Sequence, residues 1–173
     1  MKNSFSLEAK NLPEHLKVDF LVGDALFERI WEDSRFTSNI ARDGLIVAIG
    51  GGVTGDLAAF IASTYQRGID LIHIPTTTTA MIDSSVGGKT GLNCLDQVNL
   101  IGSYYNPKAI FMDLEFLTTL NNRDYYSGIC EAIKMSITSD SEMFDRFFQI
   151  SQNLINKEYK FLAICFRLFF LLK

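Results

Sequence analysis

Three stretches of this 173-residue chain concentrate the residue types that bind or react. The first is Gly50-Gly51-Gly52-Val53-Thr54-Gly55-Asp56, which follows an apolar run. Glycines let backbone N–H groups approach an anion closely, and a helix opening there would turn its positive end toward that anion. A phosphate or pyrophosphate is the natural ligand. The run lacks the spacing of the GxGxxG fingerprint, and a tight turn leaving a strand uses the same residues, so both readings stand. Asp56 either caps the helix or holds a polar cofactor group, and capping is the plainer expectation.

The second stretch begins with Pro75 and four consecutive threonines, and leads to Asp83-Ser84-Ser85-Val86-Gly87-Gly88-Lys89-Thr90-Gly91. Hydroxyls, a carboxylate and a lysine alternate there with Ala80, Met81, Ile82 and Val86, the pattern of a polar site set into a core rather than of a solvated loop. The third is Gly128-Ile129-Cys130-Glu131-Ala132-Ile133-Lys134, where acid and lysine share a helical face. A surface ion pair is the default reading. A carboxylate on an apolar helix can also ligate a metal, but zinc sites use about three protein ligands, commonly histidine. The sequence holds only His15, in a polar stretch and expected to be solvated, and His73, in a strand pattern and expected to be a core residue.

The elements that must position these groups are legible from periodicity. Leu45-Ile46-Val47-Ala48-Ile49 reads as a strand buried on both faces, residues 56–65 as a helix, and residues 71–74 as a second buried strand. Strand, glycine turn, helix and strand form a βαβ unit whose ligands settle beyond the carboxyl ends of the strands, near Gly51–Asp56 and Thr76–Thr79. Residues 109–114 read as a third strand, and residues 123–137 and 141–172 as helices. Leu21, Ala25, Leu26 and Ile30 fall at helical spacing and are expected to pack on the sheet. The fold expected is α/β: a Rossmann-like parallel-sheet nucleotide-binding domain over residues 1–120, followed by the first helices of an all-helical domain over residues 121–173.

Composition narrows the partners. With 47% hydrophobic and 21% charged residues the chain is an ordinary globular one, and its net charge of −4 gives no general attraction to nucleic acid. Cys94, Cys130 and Cys165 are odd in number and widely spaced, which suits free thiols in a reducing, cytoplasmic setting. No apolar signal-peptide core opens the chain, and residues 161–172, interrupted by Arg167, are shorter than the roughly twenty needed to span a bilayer. No membrane partner is expected.

The segments GGGVTGDLAAF, STYQRG, IPTT, DSSVGGKTGLN, NLIG, Pro107 and GICEAIK stand in an order and spacing similar to those of 3-dehydroquinate synthases. The resemblance covers about residues 42–143. It implies an enzyme converting 3-deoxy-D-arabino-heptulosonate 7-phosphate to 3-dehydroquinate, on the route to chorismate and aromatic amino acids, with NAD and zinc or cobalt. In that chemistry a ring hydroxyl is oxidised to a ketone, phosphate leaves, the ketone is reduced, and ring opening and aldol closure follow. By the same resemblance Gly52, Val53, Thr54, Gly55, Asp56, Thr76, Thr77, Lys89, Phe116, Leu117, Thr118 and Thr119 look like NAD contacts. Glu131 matches a metal ligand, and Arg67, Asp83, Lys89, Asn99 and Lys134 resemble the pocket for the sugar-phosphate substrate. A homodimer is implied by the family alone.

Three departures from the family pattern bear on function. Gln97-Val98-Asn99 stands where the family reads Gly-Lys-Asn, replacing a lysine that would contact the cofactor. Before Arg42 the family carries a nucleotide-binding strand and a Gly-Glu-x-x-Lys loop, against which this chain offers Val22-Gly23-Asp24-Ala25 in a shortened region. The family's two metal-binding histidines lie beyond Lys173, so the expectation is a shortened homologue with little or no cyclase activity by itself. The alternatives are a sister sugar-phosphate cyclase, a polyol dehydrogenase, or a non-catalytic nucleotide-binding remnant.

Overall fold

The computed structural model describes residues 18–21, 42–139 and 141–163. Four parallel strands form the main sheet in the order β1-β2-β3-β6: β1 is Val18–Leu21, β2 Leu45–Gly50, β3 Asp70–Pro75 and β6 Ala109–Ile110. Leu21 thus ends a strand, paired with Ala48, rather than opening a helix. Four residues are too few for periodicity to separate the two states. The rest of the expected N-terminal helix, with Val22-Gly23-Asp24-Ala25 and His15, lies outside the described residues.

Helix α1 (Gly52–Thr64) carries the chain from β2 to β3. Its Ala58, Ala59, Ile61 and Ala62 are buried against Ile46 and Ala48 of β2 and against Ile69 and Leu71. Three alanines in that set let the helix lie close to the sheet, while Ile61 supplies bulk whose burial stabilises by about 1.5–3 kcal/mol. The helix stops where Gln66, Arg67 and Gly68 take positive φ values of 51°, 71° and 119°. The phenol of Tyr105 holds that turn by donating to the carbonyl of Ile69 at 2.8 Å.

Beyond β3 the chain makes a π-helical turn at Ala80–Ser84, then the antiparallel hairpin β4 (Leu92–Cys94) and β5 (Gln97–Ile101). The expected strand over residues 109–114 shortens to β6, because a 3-10 turn begins at Leu114, with Asp113 accepting from the N–H of Glu115 at 2.9 Å. Helices α2 (Asn122–Ser139) and α3 (Ser141–Ile155) follow and enclose a second core of Met81, Ile82, Leu117, Tyr125, Ile129, Ala132, Phe147, Leu154 and Leu162. The expected single helix over residues 141–172 is broken after Ile155. Lys157 adopts φ 58°, and the N–H of Glu158 donates to Asn153 O at 2.9 Å, closing a Schellman-type end without glycine. Residues 164–173 lie outside the described ones.

Candidate functional site

Strand β2 delivers Gly50 and Gly51 to the edge of the sheet, and Gly51 begins α1 with no side chain capping it. Asp56 is therefore not the cap; it sits in the helix's second turn. The first α1 N–H groups lack intrahelical partners and carry the positive end of the helix dipole. Space is tight here: a Cβ on Gly50 would lie 2.7 Å from Thr54 Oγ1, closer than side chains approach, and one on Gly52 would press on Ser84 Oγ at 3.0 Å.

A cleft of about 200 Å³ opens at this point. One wall is Gly51, Gly52, Val53 and Thr54, and the next is Thr77 and Thr79 at the carboxyl end of β3. The neighbouring strand exits are tied together by the N–H of Thr76, which donates to Gly50 O at 2.9 Å. Asp124 and Ser127, from the first turns of α2, complete the lining. These two had not been singled out in the sequence, although Asn121-x-x-Asp124 carries a readable helix-start signal. Asn121 Nδ2 donates to Asp124 Oδ2 at 2.7 Å, and the Asp124 N–H returns a bond to Asn121 Oδ1 at 3.0 Å.

Helix α2 approaches the cleft so closely because of Gly128. A Cβ there would meet Thr78 Cβ at 2.4 Å and Thr79 N at 2.6 Å. Thr78 is fully buried at this seam, and its Oγ1 makes no hydrogen bond among the described residues.

Asp56, Asp83, Glu131 and Lys134 are electrostatically linked. Burial and the nearby charge of Asp83 raise the Asp56 carboxyl to about 6. On α2, Lys134 donates to Glu131 Oε1, and that bond, with the charges of Glu131 and Asp83, holds the lysine above its ordinary value. Asp83 thus lies within electrostatic reach of both Asp56 and Lys134. His73 is buried in β3, with its ring 3.1 Å from where a Cβ on Gly55 would stand, and burial lowers its pKa. It is a core residue of the α1 contact.

Other residues singled out from the sequence lie apart from the lining. Arg67 is exposed in the turn after α1, and exposed Lys89 forms an isolated bridge with Tyr104. Asn99 sits on the hairpin with φ 53°, its N–H donating to Asn93 Oδ1 at 2.9 Å. In the 3-10 turn, Leu117 is wholly buried in the helical core, while Thr118 and Thr119 are exposed and bonded to carbonyls of their own turn. No group of three or more His, Cys, Asp or Glu able to hold a metal occurs among the described residues. Cys94 and Cys130 are free thiols, and no described helix is long and apolar enough to cross a membrane.

A parallel sheet with a glycine-lined cleft at the carboxyl ends of its strands, against a helix N-terminus, defines a Rossmann-like α/β domain. Residues 25–127 match the 3-dehydroquinate synthase N-terminal family, and the chain belongs to it. It is 52% identical over 109 residues to the 3-dehydroquinate synthase of Campylobacter concisus (strain 13826), covering 63% of this chain and 32% of that protein. With the enzyme of Helicobacter pylori (strain J99 / ATCC 700824) it shares 48% over 119 residues, 69% of this chain and 34% of that one. The chain spans about a third of the length of these relatives. Among solved structures, 2-epi-5-epi-valiolone synthase from Streptomyces hygroscopicus subsp. jinggangensis 5008, with NAD+ and Zn2+ bound, superposes with a TM-score of 0.60 at 35% identity, over 64% of this chain and 31% of that one. A 2-deoxy-scyllo-inosose synthase complexed with carbaglucose-6-phosphate, NAD+ and Co2+ gives 0.54 at 41% identity, over 56% and 27%.

Proposed function

We propose that this chain is the nucleotide-binding part of an NAD-dependent sugar-phosphate cyclase of the 3-dehydroquinate synthase type. The observation that carries the reading is the cleft itself: the start of α1 at one wall, the hydroxyl-bearing residues Thr54, Thr77, Thr79 and Ser127 around it, and glycines where a side chain would crowd Thr77 and Ser84. These residues fit a pyrophosphate, whose oxygens accept from N–H and O–H donors. Its volume suits the pyrophosphate with an adjoining group rather than a whole dinucleotide, so the remaining contacts come from outside it. When bound, NAD supplies the reversible acceptance of hydride from a ring hydroxyl.

Asp83, Glu131 and Lys134 would line the substrate side, with Lys134 meeting the phosphate and Asp83 and Asp56 orienting hydroxyl and cofactor groups. The residues on hand do not fit a catalytic metal. Glu131 is the one proposed ligand, its carboxylate is engaged by Lys134, and no further ligands gather around it among the described residues. No step is assigned to a metal here, and cyclisation by this chain alone is expected to be absent or weak.

Calorimetric titration of the purified chain with NAD, in phosphate-free buffer with and without zinc, tests the reading. Saturable binding between micromolar and low millimolar concentration, little changed by zinc, is the expected result. No heat from a sample shown to be folded by circular dichroism would overturn it. The chain would then be a family member whose cleft no longer serves the nucleotide.

A further inference from the structure

We propose that the outer face of the α2–α3 hairpin is a contact surface for a second copy of this chain, joined across a two-fold axis. The proposal is independent of the nucleotide reading. On α2 the residues concerned lie on a different side of the helix from Asp124 and Ser127, so pairing leaves the cleft open. Beside the stripe that each helix buries in the helical core runs a second apolar one that stays exposed among the described residues. On α2 it is Tyr126, Ile133 and Ile137, and on α3 Phe144, Phe148 and Ile155, with Ile137 63% and Phe148 69% exposed.

The phenol of Tyr126 donates to Ile155 O at 3.0 Å and fixes the antiparallel register of the pair. Seven residues forward on α2 and seven back on α3 then bring Ile133 level with Phe148, and four more bring Ile137 level with Phe144. Each level therefore holds one isoleucine and one aromatic ring, on opposite helices. Phe144 and Phe148 stack with ring centroids 6.4 Å apart, so the strip is continuous along α3. A strip ordered this way complements itself. A two-fold axis along the hairpin lays α2 on the partner's α3, and at every level an isoleucine then meets an aromatic ring, as in a four-helix bundle. Size agrees as well: the six residues expose about half of their surface, on the order of 600 Å² at roughly 200 Å² per residue, the upper end of what a monomer leaves bare. Two strips together withdraw about 1,200 Å² from water, where stable specific interfaces begin.

The test is sedimentation equilibrium of the intact chain from about 1 to 100 μM, the weaker end of the affinities such interfaces show. The native chain should approach twice its mass of 19.5 kDa over that range. Phe148→Glu and Ile137→Glu, at the middle and the turn end of the strip, should each weaken association at least roughly thirtyfold, because a carboxylate would be buried without a partner. Both positions are exposed in the single chain, so circular dichroism should find the variants folded. Leu95→Glu, on the exposed turn of the β4–β5 hairpin, should associate as the native chain does. A native chain that stays at 19.5 kDa throughout overturns the proposal, and so does an open series of larger species, since a two-fold contact closes. A dimer that survives both strip substitutions, or that Leu95→Glu dissociates, places the contact elsewhere and overturns it equally.

Discussion

At Asp56 two effects add, burial and the charge of Asp83, and both disfavour its ionised form in the folded chain. The sign follows directly. Between the ordinary value of 3.8 and the folded value of about 6, the native state holds a proton that the unfolded state has lost. Stability is therefore unpenalised below the lower value and falls as pH rises through the higher one. For this half-buried group the full penalty is on the order of 1–2 kcal/mol after discounting for solvent. Urea unfolding should find Asp56→Asn more stable than the native chain by about that amount at pH 7.5 and nearly equal to it at pH 4. His73, a base with a lowered value, works in the opposite direction, but equally in both proteins, so it cancels from the difference. A pH-independent difference would contradict this account. At Val98, 77% exposed on β5, a lysine would lose no packing. Restoring the lysine that the family pattern reads there should strengthen NAD binding roughly three- to tenfold, leaving the unfolding midpoint unchanged. An unaltered Kd would place residue 98 outside the nucleotide's reach.

The seam between α2 and the threonine segment is the element on which the cleft depends. Gly128→Ala would drive a methyl into Thr78 Cβ and Thr79 N, and the second is backbone that no rotamer change can move. We expect a loss of about 1–3 kcal/mol in denaturant unfolding. NAD affinity should fall with it, since α2 carries Asp124 and Ser127 to the cleft. Wild-type stability in the variant would mean that the seam yields to a methyl group. This contact was not legible in the sequence, because a glycine inside a helical pattern does not reveal what approaches it. The βαβ unit was legible from the apolar runs at Leu45–Gly50 and Asp70–Pro75 on either side of the glycine turn, but burial alternates along both strands, so the expectation that they are buried on both faces is corrected to one fully buried face each. The end of α3 was hidden for a physical reason: Lys157 takes a left-handed conformation that sequence readers assign to glycine. The same lysine lies 5.2 Å over the Tyr125 ring, a contact that helps offset the strain. Asp124 and Ser127 were missed because a helix start reads as capping, and the cleft exists only once the two helix termini face each other.

Across the whole molecule, two cores are distinct in composition yet joined by chain that serves both. The sheet core gathers Ile46, Ala48, Leu71 and the α1 alanines, whereas the helical core draws Met81 and Ile82 from just beyond β3 and Leu117 from the 3-10 turn. The cleft takes walls from both sides, so a ligand there binds only when both are formed. Linkage then dictates that NAD at a hundred times its Kd stabilises the assembled state by about 2.7 kcal/mol, whichever core is weaker. Calorimetric melting should show one transition that NAD moves upward. Leu117→Ala, at a fully buried position, should lower that transition by an amount corresponding to about 2–5 kcal/mol without splitting it. The ligand-induced rise should persist in the variant, because Leu117 does not line the cleft. Two resolved transitions, with NAD moving only one, would instead mean that the cores fold independently and that the nucleotide contacts a single wall. In that case α2 would not be part of the binding site.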